Sequence, residues 1–332
     1  MSAASKAANL VHHRNVEVAG VEIFYREAGD PSFPTLLLLH GFPTSSHMFR
    51  DLIPLLADRY HLIAPDYPGF GYSARPPLNE FTYTFDHLAE VMARFVDAVG
   101  IKRYALYMQD FGGPVGFRLA ARRPEKVSAL IIQNANAYEE GVSQGVKDVV
   151  LRIYKERTPE TEARLKQLFE LPATKKQYLE GVPDPSLVSP DSWQHAQWGM
   201  DRPGDKDIQF ALHANYGSNL ERYDEWHAYF RKFQPPTLIV WGKGDFVFLP
   251  AGAEAYRKDL QHVELHMLNA GHFALETNAA EIAGYIRAFS IDKAVPDQID
   301  DHKIVIAGLA ESIVGLAKAL QRKGFPGFGA VQ

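Results

Sequence analysis

The chain has 332 residues, 46% of them hydrophobic and 23% charged, which supplies a full buried core and excludes a disordered or fibrous protein. A formal net charge of −5 gives no general attraction to nucleic acid or to an anionic membrane. The absence of cysteine excludes disulfides, a thiolate nucleophile and thiolate-bound metal. The N-terminus carries no signal-peptide core and no apolar run reaches spanning length, so a cytoplasmic protein is expected.

Residues 16–29, VEVAGVEIFYREAG, read as two alternating strands around Ala19-Gly20, an antiparallel pair at a sheet edge. TLLLLHG (35–41) and YHLIAPDYPG (60–69) are short apolar runs that end in Gly and Pro, and SSHMFRDLIPLLAD between them has helical spacing. TFDHLAEVMARFVDAVG predicts a second helix closed by Gly100, followed by the buried-type strand YALYMQD. FGGPVGFRLAARRP predicts a helix stopped by Pro124, and VSALIIQNA a further strand. This alternation predicts an α/β fold, a mostly parallel central sheet with helices on both faces.

From residue 136 to 234 the alternation lapses into charged, helix-favouring sequence broken by TPE, GVPDPSLVSPDS and DRPGDKD. Strand signal returns in PPTLIVWG (235–242) and VELHMLN (263–269), with a helix at ALETNAAEIAGYIRAF. The organisation expected is one core, residues 16–135 and 235–290, interrupted by a helical cap insertion at 136–234. In the remaining C-terminal extension, 291–332, Ile306, Leu309, Ile313, Leu316 and Leu320 alternate at spacings of three and four and predict an amphipathic helix. It would dock on the chain's own surface or on a second copy, giving a monomer or a homodimer.

In parallel sheets reactive groups collect at the carboxyl ends of strands. Asp110 closes YALYMQD, Asp245 follows TLIVWGKG and His272 follows VELHMLNAG. This is the order nucleophile, acid, histidine of the strand-turn-helix nucleophile elbow. Taken alone, Asp110 is equally readable as a helix N-cap. His47, His195, His213 and His227 are scattered, none stands in an H-E-x-x-H frame, and no metal site or other cofactor is expected.

The stretches LLLLHGFPTSSHMFRDLIPLLADRYHLIAPDYPGFGYS, YMQDFGGPVGFRLA, TLIVWGKGD and NAGHFALE together resemble the α/β-hydrolase fold, and an Asp nucleophile resembles its epoxide hydrolase and haloalkane dehalogenase branch. The resemblance implies that Asp110 attacks an sp³ carbon and becomes esterified, after which His272, oriented by Asp245, activates water to hydrolyse the ester. Backbone N–H groups of Phe42 and Phe111 would form the oxyanion hole, with His40 bracing their loop beside the substrate. One position departs from the pattern. Met108 occupies the site two before the nucleophile, where a small residue is usual, so strand and helix are expected to sit slightly apart.

The leaving group is less defined. Relatives that release halide often cradle it with a Trp after the nucleophile and an Asn or Trp nearby, whereas Phe111 and Phe42 stand here, leaving Trp193 or Trp198 of the insertion as donors. Epoxide hydrolases usually carry H-G-x-P, as in HGFP, and two cap tyrosines, for which Tyr154 and Tyr216 are the candidates by position. Epoxide opening to a diol is the leading expectation, with haloalkane or haloacid hydrolysis, cofactor-free oxygen chemistry or simple ligand binding as alternatives. The partners are a small apolar organic substrate and water, held in an aromatic pocket that Phe42, Phe111, Trp193, Trp198 and Phe246 would line.

Overall fold

The computed structural model describes residues 10–289 and 291. The amphipathic pattern between Ile306 and Leu320 lies outside the described residues. Eight strands, β1 (His12–Val18), β2 (Val21–Ala28), β3 (Thr35–Leu39), β4 (His61–Pro65), β5 (Tyr104–Gln109), β6 (Val127–Gln133), β7 (Thr237–Gly242) and β8 (Val263–Leu268), form one sheet. Its order is β1-β2-β4-β3-β5-β6-β7-β8. β1 and β2 run antiparallel to their neighbours, and every pair from β4 to β8 is parallel.

Side chains alternate across the inner strands. Leu37, Leu39, Met108, Ile132 and Ile239 enter one apolar cluster, and Leu36, Leu38, Tyr107, Ile131 and Val240 enter the other. Burial on both faces is why these strands read as unbroken apolar runs. β1 starts four residues before the expected Val16, because His12, His13 and Arg14 belong to an exposed edge strand and carry no apolar alternation.

The helical stretch after β3 is shorter than its spacing suggests, a tight turn at Ser46–Phe49 and a helix α1 at Leu52–Leu56. Pro54 lacks an N–H and would clash with the carbonyl of Arg50, so one helix cannot run through both. α2 (Phe85–Ala98) ends as its sequence predicts, Gly100 at φ +76° letting Ile101 N–H reach Val96 O at 3.0 Å, and it begins on Thr84, whose hydroxyl accepts the N–H of His87. α3 (Gly112–Arg122) follows β5 directly.

Between β6 and β7 the chain builds helices and turns, among them α4 (Pro159–Lys166), α5 (Leu171–Leu179), α6 (Pro190–Met200), α7 (Asp205–Ala214) and α8 (Tyr223–Phe233). Charged contacts tie this stretch to the sheet's surroundings. Arg75 meets Asp205 of α7 at 2.9 Å, Arg222 meets Asp86 of α2 at 2.9 Å, and buried Arg118 of α3 bridges Asp86 and Asn219. α9 (Leu275–Ala288) completes the described chain. No helix among the described residues is long and apolar enough to cross a membrane.

Candidate active site

β5 ends at Gln109 and α3 begins at Gly112, so the chain reverses within two residues. Asp110 takes φ +50°, in the left-handed region that a residue with a Cβ enters at a cost of about 1–3 kcal/mol. The turn is clasped by Gly113 N–H to Asp110 O at 2.9 Å and by Asp110 N–H to Asn134 O at 3.3 Å. A Cβ on Gly112 would lie 2.2 Å from the carbonyl oxygen of Leu39, so only glycine fits there. The bulk of Met108 is absorbed in the same way: a Cβ on Gly116 of α3 would lie 2.3 Å from its sulfur. The missing side chain on the helix makes the room that a small strand residue would otherwise provide.

The turn aims the Asp110 carboxylate at two other strand ends. Its Oδ2 lies 3.7 Å from His272 Nε2, beyond hydrogen-bond reach, while His272 Nδ1 meets Asp245 Oδ2 at 2.8 Å. Asp245 is fixed on every side, accepting the N–H groups of Val247 (2.7 Å) and Phe248 (3.1 Å) at Oδ1 and the Asn134 amide (2.7 Å) at Oδ2. An acceptor so placed holds the proton on His272 Nδ1 and leaves Nε2 as a lone pair, which the Gln109 amide approaches at 3.1 Å. Burial opposes charge on His272, yet the charge and hydrogen bond of Asp245, with Asp110 beyond, raise its pKa overall. Burial likewise pushes the Asp110 carboxyl up, against the pull of His272 and the amides of Phe42 and Phe111.

Those amides define the second feature. Phe42 N–H donates to Asp110 Oδ1 at 2.7 Å, and Phe111 N–H also bonds the carboxylate. Asp110 is therefore gripped from the β3 loop as well as from its own turn, which a helix N-cap would not require. The Phe42-Pro43 bond in this loop is cis. His40 is fully buried behind the loop, with Nδ1 3.0 Å from Gly41 O and Nε2 accepting the Tyr67 N–H at 3.3 Å. Burial lowers its pKa, so it is a neutral brace, and it does not line the cavity.

A cavity of about 290 Å³ opens over Asp110, walled by Phe42, Phe111, Val146, Val150, Leu168, Phe246 and Phe248. Of the two tyrosines singled out from sequence, Tyr216 lines it and Tyr154 does not; Tyr154 is exposed and bonds Glu221 at 2.8 Å. Neither Trp193 nor Trp198 reaches it. Trp193 packs with Tyr178 and Phe273 in the opposite apolar cluster under Lys175, and half-exposed Trp198 stacks on His195 beneath Arg202. No residue of α6 lines the cavity, so neither tryptophan can serve it.

Three site residues escaped the sequence reading. Gln109 is flagged only by adjacency to Asp110. Asn134, at φ +45°, joins Asp110, Asp245 and Gly242 through its carbonyl, its amide N–H and its amide oxygen; an Asn closing a strand was its one signal. His213, grouped with the scattered histidines, lines the cavity from α7.

Comparison with known proteins places the chain among relatives. The sequence profile of the alpha/beta hydrolase fold matches residues 34–279. An uncharacterized hydrolase of Saccharomyces cerevisiae is 42% identical over 267 residues, 80% of this chain and 91% of its own. Haloalkane dehalogenase 2 of Mycobacterium tuberculosis is 44% identical over 101 residues, 30% of this chain and 35% of its own. The crystal structure of a haloalkane dehalogenase from Bradyrhizobium elkani is 25% identical, with a TM-score of 0.67 over 84% of this chain and 99% of that one.

Proposed function

The chain belongs to the α/β-hydrolase fold family, and on that premise we propose that it hydrolyses small apolar epoxides to diols through an ester of Asp110. The observation that carries this reading is the separation of Asp110 from His272. At 3.7 Å the pair is not hydrogen-bonded, as suits a nucleophile that needs no base, and the lone pair of His272, met at 3.1 Å by the Gln109 amide, is left for water that displaces that amide and not for Asp110.

In the first step Asp110 Oδ2 attacks a ring carbon while Phe42 N–H holds Oδ1. The carbon–oxygen bond breaks, and the departing oxygen is stabilised by the Tyr216 hydroxyl, which has no partner among the described residues. In the second step His272 Nε2 takes a proton from water, and the hydroxide adds to the carboxyl carbon of Asp110. Oδ1 becomes the tetrahedral oxyanion on the amides of Phe42 and Phe111. Its collapse breaks the ester bond, and His272 returns its proton to the expelled oxygen. The proton of the added hydroxide balances the one taken up by the ring oxygen opened in the first step, so that the diol leaves and the carboxylate is restored. The insertion at 136–234 serves as the cap that supplies Tyr216 and closes the apolar wall.

Hydrolysis of haloalkanes is the second reading, favoured by the dehalogenase relatives. Against it, the side chains of Phe42 and Phe111 donate nothing, and Trp193 and Trp198 stand outside the cavity.

Incubating the His272→Gln enzyme with styrene oxide should add the substrate's mass to the protein, and peptide mapping should place it on Asp110. In the unmodified enzyme, ¹⁸O water should label the Asp110 carboxylate over repeated turnover. Label entering product in a single turnover, with no adduct, would make Asp110 a general base. Bromide release from 1-bromobutane without diol formation would favour the second reading.

A further inference from the structure

His213 occupies the last turn of α7 and is buried, yet it borders the cavity over Asp110. Its Nδ1 lies 2.8 Å from the carbonyl oxygen of Gln209, one turn back. A carbonyl oxygen only accepts, so Nδ1 carries the hydrogen and Nε2 is left as a bare lone pair. No described residue donates to that nitrogen. The ring stands nearly perpendicular to Phe42, with centroids 4.4 Å apart, and touches Phe111 and Phe169 at 5.1 and 5.2 Å. None of these neighbours has a side-chain donor.

We propose that His213 is a specificity-determining acceptor: Nε2 receives a hydrogen bond from an alcohol O–H or an amide N–H on the substrate, so the pocket prefers apolar molecules carrying one such donor to plain hydrocarbons. The inference rests on reading this cavity as the substrate pocket. A lone pair in an aromatic wall loses its hydration without recompense unless a donor meets it. The charged alternative is closed, because burial depresses His213 to about 4 and only the Gln209 carbonyl acts the other way. At neutral pH the ring therefore attracts donors and offers nothing to a halide or an alkoxide. Tyr216, also bordering the cavity and also in contact with Phe111, supplies the complementary donor. The insertion thus presents one donor and one acceptor to a single ligand.

The test uses binding of unreactive probes to the full chain. 2-Phenylethanol should bind about tenfold more tightly than its isostere propylbenzene, the scale of one neutral hydrogen bond. His213→Phe should abolish that preference, and His213→Gln, which keeps an amide oxygen, should retain part of it. In the unsubstituted protein the ¹⁵N signal of His213 Nε2 should be that of a bare imidazole nitrogen and should move when the alcohol binds, a readout that survives if a variant fails to fold. Equal binding of the two probes, an undiminished preference in His213→Phe, or a protonated Nε2 would overturn the proposal. Because no turnover is needed, the hydrolase reading fails separately: alcohol preference with inert epoxides and haloalkanes sinks that reading alone, and turnover without the preference sinks only the role of His213.

Discussion

On the sheet side of the cavity Asp245 accepts four hydrogen bonds and the Asp110 carboxylate rests on two backbone amides, whereas on the helical side neither the Tyr216 hydroxyl nor His213 Nε2 has a partner among the described residues. The groups assigned to bond making are locked by the strand ends before any substrate arrives. Those assigned to the departing oxygen and to recognition are held in place by packing, but their polar atoms are left for the ligand to complete. Attack and ester hydrolysis are thereby assigned to the sheet side, leaving-oxygen stabilisation and selectivity to the helical side, and substitutions on the two sides should fail in different ways.

The largest effect is expected at Asp110. Asp110→Asn should lower kcat by about 10⁴-fold or more, as loss of a nucleophile does, while raising Tm by about 2 °C or more, since Asn tolerates φ +50° better and removes a buried charge. The sign follows from the raised pKa. A raised carboxyl contributes stability below its unfolded pKa and loses it as pH rises through the folded value, so the variant's advantage should be present at neutral pH and vanish in acid. A fall in Tm at pH 7 would mean that the carboxylate is a net asset to the fold and that the sheet side is not strained for function.

Next in size is Asp245→Asn, expected to cost about 10²–10⁴-fold in kcat by misorienting His272. In the proposed mechanism ester hydrolysis needs neutral His272, whose pKa Asp245 holds up against burial, so the rate should fall with decreasing pH around a midpoint set by that histidine. Removing the charge of Asp245 should move that midpoint down. An unmoved acid limb would show that another group governs the second step.

Tyr216→Phe should lower the rate by about tenfold or more, and only in ester formation. Rapid-quench measurement of the two half-reactions decides this: slower hydrolysis of a preformed ester would blur the division between the two sides. The smallest effect on rate belongs to Gly116→Ala. Its new methyl would overlap Met108 and cost about 1–3 kcal/mol of stability in urea unfolding, with kcat nearly unchanged. Met108→Ala in the same chain should return part of the loss.

The asymmetry also sets what the sequence disclosed. The clustering of Asp110, Asp245 and His272 was legible because the first two follow strongly apolar strands, the third follows an alternating one, and strand ends in a parallel sheet share one edge. Phe42 was legible from its place after HG. The accommodation of Met108 by Gly116 was not, since it arises where a strand and a helix cross and neither residue alone announces the other. On the helical side, sequence position could not separate Tyr216 from Tyr154, nor His213 from three other histidines. Which of these reach the cavity depends on helix rotation, and that is settled by packing against Phe42, Phe85 and Phe111 and not by any local pattern.

Asn134 has a consequence for how accurately such a site is assembled. Its carbonyl takes the N–H of Asp110, its amide N–H serves Asp245, and its amide oxygen takes the N–H of Gly242, so the ends of β5 and β7 are both gauged from the end of β6. Positional errors along the sheet do not add from strand to strand, because each is measured against the same datum. A displacement of the end of β6 would therefore be passed to Asp110 and Asp245 together, through bonds to one residue.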